Sequence, residues 1–308
     1  MIEKADCEEL ARQAMAEPGR QNMRQVIEKE LLQADILFSL EKEGLLDGLT
    51  FQGGISLRLC QGSNRFSEDL DFVSDRDFAS QHMARIKQCV EDYLGNRYQL
   101  EVMATEPKEL RREPDYAGVG IDKWQMLAIS SSTQRDASKQ HIMLKIVNAP
   151  VYTREARNLS IHYSFLPDGY SDFLILTKTL DEVMADKLVS LPNTINRVCY
   201  FDIWDLHWLR QQGAKPNINL VQKKLSDYGV KGYVEKARSI QQRLPEIIGN
   251  SGFHDEMARF LPTTVLDRTL KQPKFSVYLS NENRQLLGQV IDALEGPAPS
   301  EPRFEFMM

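Results

Sequence analysis

The sequence has 308 residues, of which 42% are hydrophobic and 27% charged, proportions typical of a folded globular protein and not of a disordered or fibrous one. No run of about 18 apolar residues occurs and the first residues are charged, so we expect neither a membrane span nor a signal peptide and predict a cytoplasmic protein. The net charge of −6 excludes indiscriminate coating of nucleic acid, and the four widely spaced cysteines exclude a disulfide framework or a structural zinc site.

The predicted elements begin with a helical segment and a strand–turn–helix unit. Apolar residues at helical spacing indicate one or two helices over 22–46. A short strand is predicted over 49–52, where it ends in a glycine pair, and residues 55–59 suit the first turns of a helix. Acidic and apolar residues then alternate over 68–73 with the period of two that indicates a strand.

Further along the chain the pattern stays mixed. A helix is predicted over 77–94 and a strand over 98–103. The polar stretch 105–118 contains two prolines and a glycine, so it is predicted to be a loop. Two more strands are predicted over 124–130 and 140–147.

From residue 179 onward the pattern is helical. One helix is predicted over 180–191, ended by Pro192, and another over 198–212, ended by Gly213, and the rest is helical to about residue 293. The change in composition near 172–177 marks the predicted domain boundary. We therefore predict an α/β (α+β) fold whose segments are a mixed part at 1–175, a helical part at 176–294 and a flexible, proline-rich tail at 295–308.

The glycine pair and the acidic strand together indicate chemistry. Asp69 and Asp71 are two residues apart on a strand and share one face, so their repulsion requires a cation, for which Mg²⁺ is the natural choice. Gly53 and Gly54 allow backbone N–H groups to approach phosphates, and the following helix presents its positive end to them, with the Ser56 hydroxyl as a further donor. Either feature alone is more often a solvated strand face or an ordinary turn, whereas the combination favours a phosphate and metal site.

Two blocks of the sequence closely resemble the AbiEii/AbiGii toxin family of nucleotidyltransferases, which belongs to the polymerase-β-like nucleotidyltransferase group. The first block, at 51–59 and 65–72, has the glycine pair followed by Asp-x-Asp. The second, at 182–188 and 202–206, is similar to the family's Ala-Asp-Lys-Leu motif and its Arg-Asp-x-x-Asp-Leu element. The resemblance extends from about residue 25 to about residue 210.

The resemblance implies a polymerase-β-like core with a mixed sheet, and a helical domain that completes the active site. It implies an NTP as substrate and Mg²⁺, or Mn²⁺ in its place, as cofactor, with Asp69 and Asp71 as metal ligands. The residues implied in catalysis are Asp69, Asp71, Lys187, Asp202 and Asp205. The residues implied in nucleotide binding are Gly53, Gly54, Ser56, Arg65, Ser67, Lys145 and Asp186.

The spacing of acids in the second block supports a clustered site. Glu182 and Asp186 are four residues apart, and Asp202 and Asp205 three apart, so each pair lies on one face of a helix and favours cations nearby. Lys187 is one such cation and is also suited to hold a triphosphate. A solvent-facing charged helix with its own salt bridges is the alternative.

The sequence departs from the family pattern at two positions. The family's Lys-x-acid pair on a later strand corresponds to Lys145-Ile146-Val147, so the third carboxylate is missing. Asp172, Asp202 or Asp205 are alternatives for this function, and the sequence does not decide between them. The second departure is Phe201, which stands where the family commonly has Arg.

A basic segment and the resemblance together indicate the acceptor. Between residues 210 and 250 eight basic residues accompany three acids, a local charge of +5 that suits an RNA backbone or forms an ordinary exposed face. The resemblance implies a toxin of a toxin–antitoxin or phage-defence system, an RNA acceptor such as a tRNA 3′ end, a cognate antitoxin and no membrane partner. The alternatives are transfer to a small molecule or a protein hydroxyl, and a catalytically silent nucleotide-binding module.

Overall fold

The structure, a computed structural model, describes residues 6–74, 78, 80–98, 101–105, 123–131, 140–160, 162–166, 169–194 and 198–296. The helices are α1 Cys7–Met15, α2 Arg24–Lys42, α3 Gly53–Gln61, α4 Ser80–Tyr98, α5 Leu180–Asn193, α6 Tyr200–Gln211, α7 Ile218–Asp227, α8 Tyr233–Gly249, α9 Ser251–Phe260, α10 Thr263–Arg268 and α11 Pro273–Glu295. The strands are β1 Leu49–Gln52, β2 Asp69–Ser74, β3 Glu101–Thr105, β4 Lys123–Ser131, β5 Gln140–Asn148, β6 Glu155–Asn158 and β7 Leu174–Thr177. The predicted loop after residue 105 and the predicted tail after residue 296 lie outside the described residues.

The described strands form one mixed sheet of seven strands in the order β3-β4-β5-β2-β1-β7-β6. The pairs β2/β5 and β1/β7 are parallel, and the other neighbouring pairs are antiparallel. Strands β6 and β7 were not predicted, because each has four residues and the sequence of β6, Glu-Ala-Arg-Asn, carries no β-forming pattern. The first half of the chain has the mixed sheet that the family resemblance implied.

One face of the sheet is covered by helices and holds an apolar core. Phe51 of β1 and Phe72 of β2 are buried there and stack at a centroid separation of 5.0 Å. Helices α2, α3 and α4 supply the other side of this core. Because side chains alternate along a strand, the residues next to Phe51 and Phe72 point to the opposite face, which carries the polar groups described below.

The second half of the chain is helical, as predicted, and has its own core. Side chains of α5 to α11 form this second core, and Leu57 of α3 joins it from the first half. Helix α5 contains Pro192 in its last turn and ends at Asn193, two residues further than predicted. The α/β (α+β) fold class is therefore confirmed. The predicted domain boundary at 175/176 falls within β7, which continues to Thr177.

Candidate active site

A row of polar side chains crosses the open face of the sheet. Gln52 of β1 is the register partner of Asp71 of β2, and Asp71 is in turn the partner of Lys145 of β5. Asp69 lies two residues before Asp71 and therefore on the same face. The side chains of Asp69, Asp71 and Lys145 are 39%, 29% and 25% exposed, whereas Leu70 between the two aspartates is fully buried. Strand geometry thus presents both predicted carboxylates to solvent together.

The glycine turn lies directly beside Asp71. Gly53 begins α3 with φ of +78°, a left-handed conformation that favours glycine. A Cβ on Gly53 would lie 2.6 Å from the Asp71 Oδ2 atom. The missing side chain therefore makes room for the carboxylate next to the N-terminus of α3. The structure brings together the turn and the acidic strand, as the sequence predicted.

Gly54 is required for a different reason. A Cβ there would lie 2.8 Å from the Ser67 Oγ atom and would collide with the Arg65 guanidinium group. Both side chains belong to the segment just before β2, so this segment packs against the first turn of α3. Ser67 is half-buried at this contact, close to the turn.

Lys145 compensates the charges of the two aspartates. Its Nζ atom lies 2.6 Å from Asp69 Oδ2 and 4.0 Å from Asp71 Oδ1. The repulsion between the carboxylates, from which a cation was predicted, is therefore reduced by a side chain of the protein itself.

The carboxylate pair suits a hard divalent cation that takes its other ligands from substrate and water. Among the five central strands that the structure describes, β4, β5, β2, β1 and β7, acidic residues occur only in β2, as Asp69 and Asp71. Within the described residues no group of three or more metal-binding side chains occurs. Mg²⁺ is commonly held by one or two carboxylates together with phosphate oxygens, so two ligands are sufficient.

Asp172 is not part of this site. Strands β1 and β7 are parallel with Phe51 opposite Thr177, so the end of β7 lies beside the glycine turn. Asp172 precedes β7, and the four residues of that strand, about 13 Å of extended chain, separate it from the site. As a third carboxylate, Asp172 is excluded by its position.

Ser56 points into the protein. Its side chain is 3% exposed, and its hydroxyl donates to the Phe51 carbonyl oxygen at 3.4 Å. This hydrogen bond stabilises the strand-to-helix turn on its buried side. The structure does not bring it to the open face where a nucleotide was predicted to meet it.

Arg65 is likewise internal. Its guanidinium group donates to both carboxylate oxygens of Asp205 at 2.8 Å and to the Phe66 carbonyl oxygen at 2.8 Å. Arg65 and Asp205 are 2% and 1% exposed. Arg65 therefore bridges the segment before β2 and helix α6, and its contact with a nucleotide stays a prediction.

Lys187 extends this bridge into a network. Its ammonium group contacts Asp202 at 2.7 Å and Asp205 at 3.0 Å, and Ser190 donates to Asp202 at 2.9 Å. Burial raises the pKa of Asp205, but the charges of Arg65 and Lys187 outweigh it and hold that pKa below its ordinary value. The structure thus places Lys187, Asp202 and Asp205 together, as predicted, but binds them to one another.

A second ionic cluster contains Asp186 and three residues that the prediction did not assign to the site. Asp186 lies 2.6 Å from Lys178 and 3.2 Å from Lys224, and Lys224 also contacts the fully buried Glu182 at 2.6 Å. Burial lowers the pKa of Lys178, although Asp186 opposes that shift. Lys178 follows β7 directly, next to the edge at which the glycine turn lies, and because that strand was not predicted, no sequence signal marked this lysine.

Phe201 packs on the buried bridge. The Arg65 guanidinium carbon lies 4.5 Å from the centre of the Phe201 ring, a cation–π contact. An arginine at this position, as in the family pattern, would place a second cation beside Arg65. The departure from the pattern is therefore matched by an aromatic contact in this chain.

The basic segment at 210–250 is partly neutralised. Three of its eight basic side chains form ion pairs with acids outside the segment, Arg210 with Glu282, Lys224 with Glu182 and Arg238 with Glu295, whereas Lys236 contacts the uncharged side chain of Asn193. The surface charge offered to an RNA backbone is therefore smaller than the sequence count indicates.

Comparison with known proteins gives a family match and matches to solved structures, among them two from Helicobacter pylori. The family model described as "Nucleotidyl transferase AbiEii toxin, Type IV TA system" matches residues 35–281. JHP933 from Helicobacter pylori is 14% identical, with 86% of this chain and 93% of that chain covered and a TM-score of 0.47. An H. pylori protein described as a candidate nucleotidyltransferase is 16% identical, with 89% and 99% covered and a TM-score of 0.44. No curated protein matches the sequence, and none of the described helices has the length and apolarity needed to cross a bilayer.

Proposed function

The chain belongs to the AbiEii nucleotidyltransferase toxin family, and we propose that this nucleotidyltransferase transfers a nucleoside monophosphate from an NTP to an RNA hydroxyl, such as a tRNA 3′ end. The family match confirms the resemblance seen in the two sequence blocks. The observation that carries the proposal is the position of Asp71 against the Gly53 turn with Asp69 beside it, since this arrangement can hold a metal ion and a triphosphate together.

Asp69 and Asp71 are the residues that would hold Mg²⁺ or Mn²⁺. When bound, such an ion neutralises charge that develops on the phosphates and lowers the pKa of an attacking hydroxyl. The backbone N–H groups at the start of α3 would hold phosphate oxygens, because the glycines leave them accessible and the helix N-terminus favours negative charge.

The reaction exchanges one phosphorus–oxygen bond for another. The acceptor hydroxyl oxygen bonds to the α-phosphorus, the bond from this phosphorus to the bridging oxygen of the β-phosphate breaks, and pyrophosphate leaves with that electron pair. The central strands carry two carboxylates, both of which are assigned to the metal, so the hydroxyl proton is expected to leave to water.

The ionic networks would shape the cleft. Lys187, Asp202 and Asp205 are bound to one another and to Arg65, so we assign them to positioning α5 and α6 against the glycine turn. Asp186 would do the same through Lys178, which follows the end of β7. These residues act on the reaction through the geometry of the phosphate site.

Membership of a type IV toxin–antitoxin family supports a biological context. The chain would be the toxin of such a pair or of a phage-defence system, with a cognate antitoxin as partner.

Parallel labelling tests the proposed function. The protein is incubated with a divalent metal and total RNA, using α-labelled and γ-labelled forms of each NTP. Label that enters RNA from the α position alone is expected, and Asp71→Asn should abolish it. Transfer of the γ label to any acceptor, or equal α transfer by the variant, would contradict the proposal.

A small-molecule or protein hydroxyl is the second candidate acceptor. It is favoured by the partial neutralisation of the basic segment at 210–250, which weakens the attraction for RNA. The same assay with a protein fraction and a metabolite fraction distinguishes the acceptors.

A further inference from the structure

We propose that Lys145 is a tethered cation that occupies the aspartate pair until a divalent metal displaces it, which couples the binding of metal to the binding of NTP. This inference rests on the proposed function, because it concerns the same carboxylates. It adds a competitor within the protein for the metal position.

The ammonium group of Lys145 lies closer to Asp69 than to Asp71, the residue opposite Lys145 in the strand register. Lys145 stands opposite Asp71 in the parallel pair β2/β5, yet its ammonium group is closer to Asp69, at 2.6 Å, than to Asp71, at 4.0 Å. A metal ion bound to both carboxylates would approach the oxygen that Lys145 now contacts. The positive charges of the metal and the ammonium group would repel each other strongly at such distances, so metal binding favours movement of Lys145 away from that oxygen.

The exposure of the pair makes this exchange easy. Lys178, Lys187 and Lys224 contact carboxylates in the protein interior, where loss of a partner leaves a buried charge. The carboxylates that Lys145 contacts are 39% and 29% exposed. Ion pairs of this exposed kind contribute little net free energy, and the four-carbon stem of lysine lets its charge swing to another partner.

The nucleotide supplies that other partner. The glycine turn that would hold the triphosphate lies against Asp71, next to Lys145 on the sheet. A metal that binds alone leaves the ammonium group without its carboxylate, whereas a metal that binds with NTP offers it phosphate oxygens. Metal binding is therefore weak without nucleotide and stronger with it.

The test measures Mn²⁺ binding to the full chain by electron paramagnetic resonance of free Mn²⁺, without turnover. Without nucleotide, Lys145→Met should bind Mn²⁺ about two- to fivefold more tightly than the wild type, the range expected for removal of a partly exposed ion pair. The matched control is Lys29→Met, which removes a lysine that contacts Glu68 at 2.6 Å, next to the pair in sequence. This control should leave Mn²⁺ affinity unchanged.

A second measurement tests the coupling. The α,β-methylene analogues of ATP, CTP, GTP and UTP are added in turn, and the analogue that binds should increase Mn²⁺ affinity more in the wild type than in Lys145→Met. Lys145→Gln serves as a second variant, and thermal unfolding establishes that each variant is folded.

The outcomes separate this inference from the proposed function. Equal or weaker Mn²⁺ binding by folded Lys145→Met and Lys145→Gln overturns the inference, and if Asp71→Asn still weakens binding, the metal site stands without it. If Mn²⁺ binds to none of the proteins, with or without an analogue, both proposals are wrong.

Discussion

Arg65 and Asp205 are 140 residues apart in sequence and form a buried, bidentate ion pair in which both hydrogen bonds are 2.8 Å long. Arg65 precedes the acidic strand and Asp205 lies on α6, so the pair joins the sheet to the helical half of the molecule. Because the Arg65 guanidinium group also lies against Gly54, the pairing of Arg65 with Asp205 also holds the glycine turn in place.

Loss of the Asp205 carboxylate should strongly destabilise the protein. Asp205→Asn leaves the buried Arg65 charge without its partner, so the free energy of unfolding should fall by about 3–5 kcal/mol. Urea unfolding followed by circular dichroism measures this. Glu9→Gln, which weakens an exposed pair with Arg12, is the control and should leave stability nearly unchanged. A loss below about 1 kcal/mol for Asp205→Asn would contradict a buried bridge.

Gly54→Ala should reduce activity through steric displacement of Arg65 and Ser67. The added methyl group has no space beside these side chains, so the turn must shift and nucleotide affinity should fall. Gly249→Ala is the matched control, because Gly249 lies at the end of a helix and a Cβ there meets no atom within 4 Å. Isothermal titration with an NTP analogue compares the two variants. Equal affinities would show that the space at Gly54 is not required.

Asp71→Asn should abolish transfer and leave the fold intact. An amide is a poor ligand for a hard cation, so the rate should fall by at least about a hundredfold, as for other electrostatic groups of active sites. Since Asp71 is 29% exposed, thermal stability should hardly change. The control is Glu68→Gln, which neutralises the acid next to Asp69 in sequence. Near-normal turnover by folded Asp71→Asn would remove its metal assignment.

His207 should make stability depend on pH in the acidic range. Burial lowers its pKa from the ordinary 6.5 to about 4. At pH values between these two, His207 is protonated in the unfolded chain and neutral in the folded chain. The free energy of unfolding therefore falls as pH falls through this range. The cost reaches about 2–3 kcal/mol near pH 4.

His207→Phe isolates this effect. The ring neighbours of His207 are Phe275, Tyr278 and Trp204, at centroid distances of 5.4, 5.2 and 6.2 Å, so an aromatic replacement is compatible with its surroundings. The difference in unfolding free energy between variant and wild type should shift in favour of the variant from pH 7 to pH 4. Parallel pH profiles for the two proteins would show that His207 is not the titrating group.

The local parts of the site could be predicted from the sequence. Alternation along 68–73 placed Asp69 and Asp71 on one face, and the glycine pair marked the end of β1, where the structure has the turn. These features depend on neighbours in sequence, for which the periodicities of strands and helices are sufficient.

The partners of the charged residues could not be predicted in the same way. Arg65 carries no sign in the sequence that it is bound to Asp205, and Lys178 and Lys224 look like ordinary lysines until the fold buries them around Asp186. Their positions depend on contacts between distant segments. The resemblance to a family found these motifs but not the pairing of Arg65 with Asp205, because a motif records residue types and not their contacts.

The contact between Arg65 and Asp205 also has a consequence for synthesis of the chain. A ribosome completes the glycine turn and the acidic strand long before it reaches α6. A nascent or prematurely terminated chain therefore carries Asp69 and Asp71 but lacks Asp205, the partner of Arg65. Truncated products that end before residue 200 should therefore lack nucleotidyl transfer, which should begin only when translation has delivered the helical half.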